Sequence, residues 1–244
     1  MKIEIFNNKG IEIKSIDQWP KPMRSNQWKD GRSAMLLAEF VLNAQESFCK
    51  LIASVLRGCN IELQDFKCEP EASKGLGDRF GRGNRHHDLL MIGENCVIGI
   101  EAKVSESFDK DSIGKKLEGK KKTKRERAEK LIDSFIPMDK RADKEYLDLP
   151  YQLFTATRST ISCAEKMKKS YSIFLVIDFI GDVLKDKDYD EKCRKNREAF
   201  EAFVGSTGAD NAGCIPQVGS TKFWIKKAEV EVSKTFKMTC ATNI

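Results

Sequence analysis

Apolar residues recur at helical spacing early in the chain, from Ser33, which can act as an N-cap, to about Leu56. This pattern predicts a helix over 33–56 that packs one face against a core. The loosely alternating stretch 61–69 predicts a strand. The glycine-rich stretch 74–85 then follows without opening a helix, which makes it a poor dinucleotide-binding loop. It predicts either a mobile surface loop or a loop whose arginines contact phosphates.

A β-hairpin is predicted next along the chain. Two strand-like runs, 87–92 and 96–104, flank the turn-type cluster Gly93-Glu94-Asn95. Helices are then predicted within 115–135, where apolar residues form a packing stripe, and over 151–168, which follows a proline.

The run 172–179 is apolar apart from Ser172 and Asp178, a pattern typical of a buried strand at the centre of a sheet. The crossover that precedes it should make this strand parallel to a neighbour. Weaker signals follow: a helix within 194–203 and one or two edge strands over 221–235. The predicted fold class is therefore α/β, with a mixed central sheet flanked by helices in the order α-β-β-β-α-β. We expect residues 1–182 to form the core with an N-terminal extension, and residues 183–244 to extend the same domain.

The net charge of +6 is concentrated in one segment. Between Lys115 and Lys130 there are nine Lys or Arg residues and three Glu residues, so this segment accounts for the whole basic surplus. A localised surplus favours a polyanionic partner, although a solvated helix face would have the same composition.

Histidine and cysteine usage exclude several kinds of chemistry. His86 and His87 are the only histidines, which argues against Ser/His/Asp hydrolysis and multi-histidine zinc sites. The eight cysteines form no Cys-x-x-Cys pair. With no apolar signal segment and no run near the ~20 residues of a membrane span, we expect free thiols, a cytoplasmic location and no membrane partner.

The second hairpin strand carries the most informative residues. Glu101 and Lys103 share one face with Gly99, whose small size should leave that face open, whereas the opposite face is apolar. If Ile92 pairs with Val97 across the turn, a carboxylate of the first strand lies directly opposite Glu101.

That carboxylate is Asp88. Opposed carboxylates repel, and one takes up a proton unless a cation lies between them. A divalent metal such as Mg²⁺ resolves the conflict because it prefers oxygen ligands. Beside it, Lys103 can orient water and offset charge on a phosphate. On regular strand alternation, His86 shares the face of Asp88 and His87 points to the other side.

Asp88 followed by Glu101-Ala102-Lys103 resembles the PD-(D/E)xK signature of restriction-endonuclease-like nucleases. Four phrases are also similar to a poorly characterised bacterial branch of that superfamily: Lys29-Asp30-Gly31-Arg32-Ser33-Ala34, Pro70-Glu71, Glu101 to Phe108, and Tyr151-Gln152-Leu153. The resemblance covers roughly residues 28–179. Glu118-Gly119-Lys120 also fits Glu-x-Lys but lies in a basic, glycine-interrupted stretch, so the pattern alone is weak. The alternative explanation for Glu101 and Lys103 is a salt bridge on an exposed sheet face.

The resemblance implies a restriction-endonuclease-like core and further site residues. Glu71 would add a metal-binding carboxylate, and Gln152 occupies the place of a helical glutamine near the metal in some exonuclease-like relatives. Asp88, Glu101, Lys103 and Gln152 are thus the expected catalytic residues, with Asp88, Glu101 and Glu71 holding Mg²⁺, for which Mn²⁺ can substitute.

The expected function is Mg²⁺-dependent hydrolysis of phosphodiester bonds in DNA, in bacterial defence or DNA processing. The alternative is a catalytically inactive nucleic-acid-binding or regulatory module on the same fold. The sequence leaves open whether the chain forms a homo-oligomer. The residues expected to contact nucleic acid are Arg79, Arg82, Arg85, Lys120, Lys121, Lys122 and Lys124.

Overall fold

In the computed structural model of the protein, one mixed sheet of eight strands lies between two groups of helices. The structure describes residues 1–21, 28–81, 83–108, 111–142, 144–184, 188–215, 220–233 and 238–240. The helices are α1 (Ser33–Leu42), α2 (Gln45–Gly58), α3 (Ile113–Glu118), α4 (Lys122–Phe135), α5 (Tyr151–Lys166) and α6 (Tyr189–Ser206). The strands are β1 (Ile3–Ile5), β2 (Phe66–Gly75), β3 (Asn84–Ile92), β4 (Cys96–Lys103), β5 (Tyr171–Ile180), β6 (Cys214–Ile215), β7 (Lys222–Val232) and β8 (Met238–Cys240).

The strand order is β1-β2-β3-β4-β5-β7-β6, with β8 also on β7. β2, β3 and β4 form an antiparallel meander, whereas β4, β5 and β7 run parallel to one another. The predicted α/β class with a mixed sheet is therefore confirmed, as is the predicted parallel strand after the crossover.

The central strand β5 explains the continuous apolar run. Ile173, Leu175 and Ile177 pack in a core with α1 and α2, while Phe174 and Val176 pack in a second core with α4, α5 and α6. Since both faces of the strand are covered, its side chains do not alternate between apolar and polar.

Two predicted helices are each interrupted. The helix expected over 33–56 is two helices separated by Asn43 and Ala44, and the helical segment within 115–135 is divided into α3 and α4. Asn43 has low helix propensity, and Gly119 has still less. The apolar spacing does not reveal these breaks because the helices on each side of a break bury apolar residues.

The expectation of edge strands over 221–235 is wrong. β7 is one strand of 11 residues that pairs with β5 along nearly its whole length and has β6 and β8 on its other side. Two of its charged residues pair with residues of neighbouring elements. Lys227 pairs with Asp178 at 2.7 Å, and Glu229 pairs with Arg197 at 3.2 Å.

Helix α5 packs directly on β4 at Gly99, whose lack of a side chain makes the approach possible. A Cβ on Gly99 would lie 2.3 Å from Oγ1 of Thr160 and 2.9 Å from Nδ1 of His87. The space that the sequence suggested was open is therefore filled by α5 and β3. Small and polar residues on the buried face of α5, such as Ser159 and Thr160, allow this contact.

Gly99→Ala should destabilise the protein by about 1–3 kcal/mol, because the added methyl group displaces α5 or β3 in a close-packed interior. Thr160→Ala in the same chain should recover part of that loss, since it removes the nearest atom. The control is Gly205→Ala in α6, where an added Cβ meets nothing within 4 Å. It should stabilise by up to about 1 kcal/mol through helix propensity. Denaturant unfolding measures all four free energies, and an undiminished stability of Gly99→Ala would contradict the close approach.

Candidate active site

The candidate site lies in a fork in the sheet between β3 and β4. The two strands pair over only four positions, from Ile92 with Val97 to Leu89 with Ile100. Beyond that point β3 continues on β2, and β4 continues on β5. The register predicted from the turn is confirmed, but pairing ends one position before the predicted pair of Asp88 and Glu101.

Asp88 occupies the base of this fork. Its Oδ2 accepts a hydrogen bond from the main-chain N–H of Ala102 at 2.7 Å. The carboxylate thus accepts from a main-chain N–H of β4 at a point where β3 no longer pairs with that strand. Asp88 is only partly covered, so the base of the fork is accessible from outside.

In β2 and β3, the regular alternation of side chains between the two faces of the sheet is broken beside the fork. On β2, Cys68 packs in the core with α1 and α2, whereas Ala72 packs on the α5 side, although the two have the same parity. Glu71 lies between them with φ of 50°, a left-handed backbone that costs a non-glycine residue about 1 kcal/mol. It belongs to β2, opposite Asp88 in register, because this strand continues beyond the end predicted at residue 69.

His87 shows the same change of face on β3. Its Nε2 lies 3.1 Å from Oγ of Ser159 on α5, and its ring lies against Gly99. The expectation that His87 points away from the Glu101 face is therefore wrong, because regular alternation fails beside Asp88. Complete burial and the charge of Arg85 lower the pKa of His87 to about 3, so this imidazole is neutral.

Glu101 is the centre of the cluster and is only 3% exposed. Its Oε2 accepts from Arg85 at 2.6 Å, and its Oε1 accepts from Lys103 at 2.9 Å and from Nε2 of Gln152 on α5. Burial favours the neutral acid, but Arg85 and Lys103 together hold the pKa of Glu101 well below its usual range. Lys103 is 7% exposed, so the ion pair of Glu101 and Lys103 is buried and does not lie on an exposed sheet face, as the alternative explanation required.

Arg85 belongs to the site, although the sequence analysis did not predict it there. It was expected in the glycine-rich loop as a phosphate contact, but it lies in β3 and reaches across the fork to Glu101. Its position three residues before Asp88 could have suggested a role in the site only if the strand had been known to begin at Asn84.

The pKa values of the other two carboxylates are shifted upward, in the direction opposite to that of Glu101. Burial and the nearby charge of Glu101 raise the pKa of Asp88 well above its usual range. The same two causes raise the pKa of Glu71 to about 7. The sequence predicted that one carboxylate of the pair Asp88 and Glu101 would tend to take up a proton, and the raised pKa favours Asp88 for that role.

The three carboxylates fit a hard divalent cation by chemical type, since they offer oxygen ligands whose mutual repulsion a cation would relieve. Their described arrangement does not yet form a site: in the described part of the chain, no group of three or more His, Cys, Asp or Glu side chains is placed to hold a metal ion. Both oxygens of Glu101 are taken by protein donors. Oε1 accepts from two donors, so a cation could bind this oxygen only if Lys103 or Gln152 moved.

The structure keeps the remaining predicted residues outside this cluster. Nη2 of Arg79 donates to Ser134 of α4, and its carbonyl accepts from Lys130 at 2.7 Å, so the segment before β3 docks on the basic helix. Arg82 lies outside the described residues. The four lysines expected to bind nucleic acid are all exposed, and none of them contacts Glu101: Lys120, Lys121, Lys122 and Lys124.

Comparison with known proteins finds one family. The model of a domain of unknown function, DUF6946, matches residues 12–232, which is most of the chain. The chain belongs to the DUF6946 family. The family match continues across residue 182, so it includes β7 as well as the fork. No curated protein matches the chain, and no solved structure does. No helix among the described residues of this family member is long and apolar enough to cross a bilayer.

Asp88→Asn and Glu101→Gln should change the stability of the metal-free protein in opposite directions. The raised pKa of Asp88 means that its ionisation opposes folding, so Asp88→Asn should stabilise at about pH 8 and lose this advantage toward pH 4. The lowered pKa of Glu101 means that its charge favours folding above its unfolded-state pKa, and that this contribution is lost as the pH falls through its folded-state pKa. Removing it deprives Arg85 and Lys103 of this charged acceptor and should cost about 3–5 kcal/mol.

Thermal unfolding in EDTA at several pH values measures both effects. Glu118→Gln is the matched control, because it alters an exposed Glu-x-Lys pattern and should change stability by no more than about 0.5 kcal/mol. If Asp88→Asn and Glu101→Gln lower the stability of the protein equally, the two carboxylates do not differ in charge state.

Proposed function

We propose that this protein is a Mg²⁺-dependent nuclease that hydrolyses phosphodiester bonds in DNA on a restriction-endonuclease-like core. The observation that carries the proposal is the fork, where Asp88 and Glu71 on one branch face Glu101 and Lys103 on the other. Burying so many charges is costly, and strongly perturbed carboxylates in a cleft are typical of catalytic sites. The order of elements around the fork, from α1 through β2, β3 and β4 to α5 and β5, agrees with the order that the resemblance implies.

The proposed roles follow from the contacts. Asp88, Glu101 and Glu71 would hold Mg²⁺ or Mn²⁺, which supplies Lewis acidity toward a phosphate and water. Lys103 remains an ammonium, because Glu101 and Asp88 raise its pKa despite its burial. Its role is then to orient the attacking water and to offset charge that develops on the phosphate. Gln152 fixes the orientation of Glu101 from α5.

Nucleic acid would reach the fork along basic surfaces on its outer side. Lys120, Lys121, Lys122 and Lys124 lie at and just before the start of α4, and Arg79 docks on the same helix. Lys122 forms only a long ion pair with Glu126, at 3.8 Å, which solvent exposure weakens. These side chains can therefore exchange solvent ions for backbone phosphates.

A catalytically inactive nucleic-acid-binding module is the second candidate. One observation favours it: Arg85, Lys103 and Gln152 already satisfy both oxygens of Glu101, as in a purely structural ion-pair network. Such a module would bind nucleic acid in a salt-sensitive manner without cleavage, whereas the nuclease requires metal-dependent cleavage.

The nuclease proposal predicts that plasmid, linear duplex or single-stranded DNA is cleaved with Mg²⁺ or Mn²⁺ and not in EDTA. Lys103→Ala and Asp88→Asn should each reduce the rate on the order of 100-fold or more, because charge-stabilising groups and metal ligands act on one transition state. Glu118→Gln should retain the full rate. Gel assays of the purified variants, with Ca²⁺ as a further comparison, measure this. Full cleavage by both site variants would refute the proposed site.

Changing Lys120, Lys121, Lys122 and Lys124 together to Gln should weaken DNA binding and flatten its salt dependence. Each lost phosphate contact lowers the slope of log affinity against log salt by about 0.9 for duplex DNA. The matched control changes four exposed lysines elsewhere to Gln and alters the net charge equally: Lys9, Lys14, Lys50 and Lys67. Fluorescence anisotropy at several salt concentrations measures both slopes. If the two quadruple variants behave alike, the basic segment is only a solvated face.

A further inference from the structure

A second buried carboxylate, Asp178 on β5, lies beside Lys103 on the side away from Asp88. The two residues are directly opposed in the parallel pairing of β4 and β5. They also point to the same face, because Phe174 and Val176 on β5 pack toward α5, as Glu101 does through Gln152. Neighbouring strands lie about 4.8 Å apart, so a lysine side chain spans the separation easily.

Asp178 has an unused acceptor. It is 6% exposed, and one of its oxygens, Oδ2, accepts from Lys227 at 2.7 Å. Within the part of the chain that the structure describes, its Oδ1 has no hydrogen-bond partner. A buried acceptor without a donor is costly, so a role beyond the ion pair with Lys227 is expected for it.

Lys103 has the freedom to use that acceptor. Its ammonium is held by Glu101 Oε1 and lies 5.3 Å from the centre of the Phe108 ring. Gln152 also donates to Oε1, so this oxygen keeps a partner if the lysine leaves. Departure of Lys103 to Asp178 would free a lone pair on Glu101 and satisfy Oδ1 of Asp178 in the same movement.

We propose that Asp178 is a positioning residue that receives the ammonium of Lys103 when Glu101 turns to a divalent cation. The inference rests on the proposed function, since it assumes that Glu101 is a metal-binding carboxylate. The lysine stays protonated throughout, so the movement exchanges one carboxylate partner for another without transferring a proton. Asp178 thereby makes Oε1 of Glu101 available to a cation.

Calorimetric titration with Mn²⁺ in the absence of DNA tests this inference. Asp178→Asn should weaken Mn²⁺ binding about tenfold or more, as loss of groups that orient metal ligands does. The matched control, Lys227→Gln, breaks the same ion pair but keeps the acceptor for Lys103, so it should bind Mn²⁺ at least as well as the native chain. The double variant Asp178→Asn/Lys227→Gln removes both charges together, which protects folding, and should show the same weakening as Asp178→Asn. Melting temperatures establish that each variant is folded.

A direct electrostatic effect of Asp178 on the cation is separated by a double-mutant cycle. In the Lys103→Gln background, Asp178→Asn should leave Mn²⁺ affinity unchanged within about twofold, because no ammonium remains to be received. The same loss in that background, or an equal loss in Lys227→Gln, would overturn the inference and leave the proposed nuclease intact. If the native chain shows no detectable binding of Mn²⁺, both this inference and the proposed nuclease function are overturned.

Discussion

The early end of pairing between β3 and β4 is the constraint on which the rest of the site depends. Past Leu89 and Ile100, each strand keeps its outer neighbour and loses its inner one. The interior of the fork must then be filled by groups that satisfy one another, because unpaired polar groups are costly in a poorly solvated space. Arg85 closes the fork toward Glu101, and α5 supplies the remaining donor. The elements of the fold are thereby fixed relative to one another by charge as well as by apolar packing.

Much of this arrangement could be predicted from sequence, since it depends on local rules. A three-residue turn between two strand-like runs set the register of Ile92 with Val97, and that register brought Asp88 next to Glu101. The continuous apolar run of β5 indicated a strand covered on both faces. Period and turn chemistry are properties of short segments, so they are visible without tertiary contacts.

The features that sequence did not predict depend on contacts between distant segments. Alternation placed His87 on the wrong face because it assumes a regular pleat, and the left-handed Glu71 interrupts that pleat from the neighbouring strand. β7 resembled an edge strand because nothing in its own residues shows that Asp178 compensates Lys227. Likewise, Gly99 suggested open space, although it is small because Thr160 needs the room.

The backbone of Glu71 has a consequence for the whole family. Its conformation is one that glycine or asparagine would adopt with less strain, and the change of face in β2 needs only the conformation, not the carboxylate. An acidic residue at this position therefore adds backbone strain that the fold alone does not require. Members of DUF6946 with glycine at the equivalent position would keep the fork and lose one of its acids. The amino acid at this position would therefore distinguish a chain that has all three acids of the fork from one that has only the backbone turn.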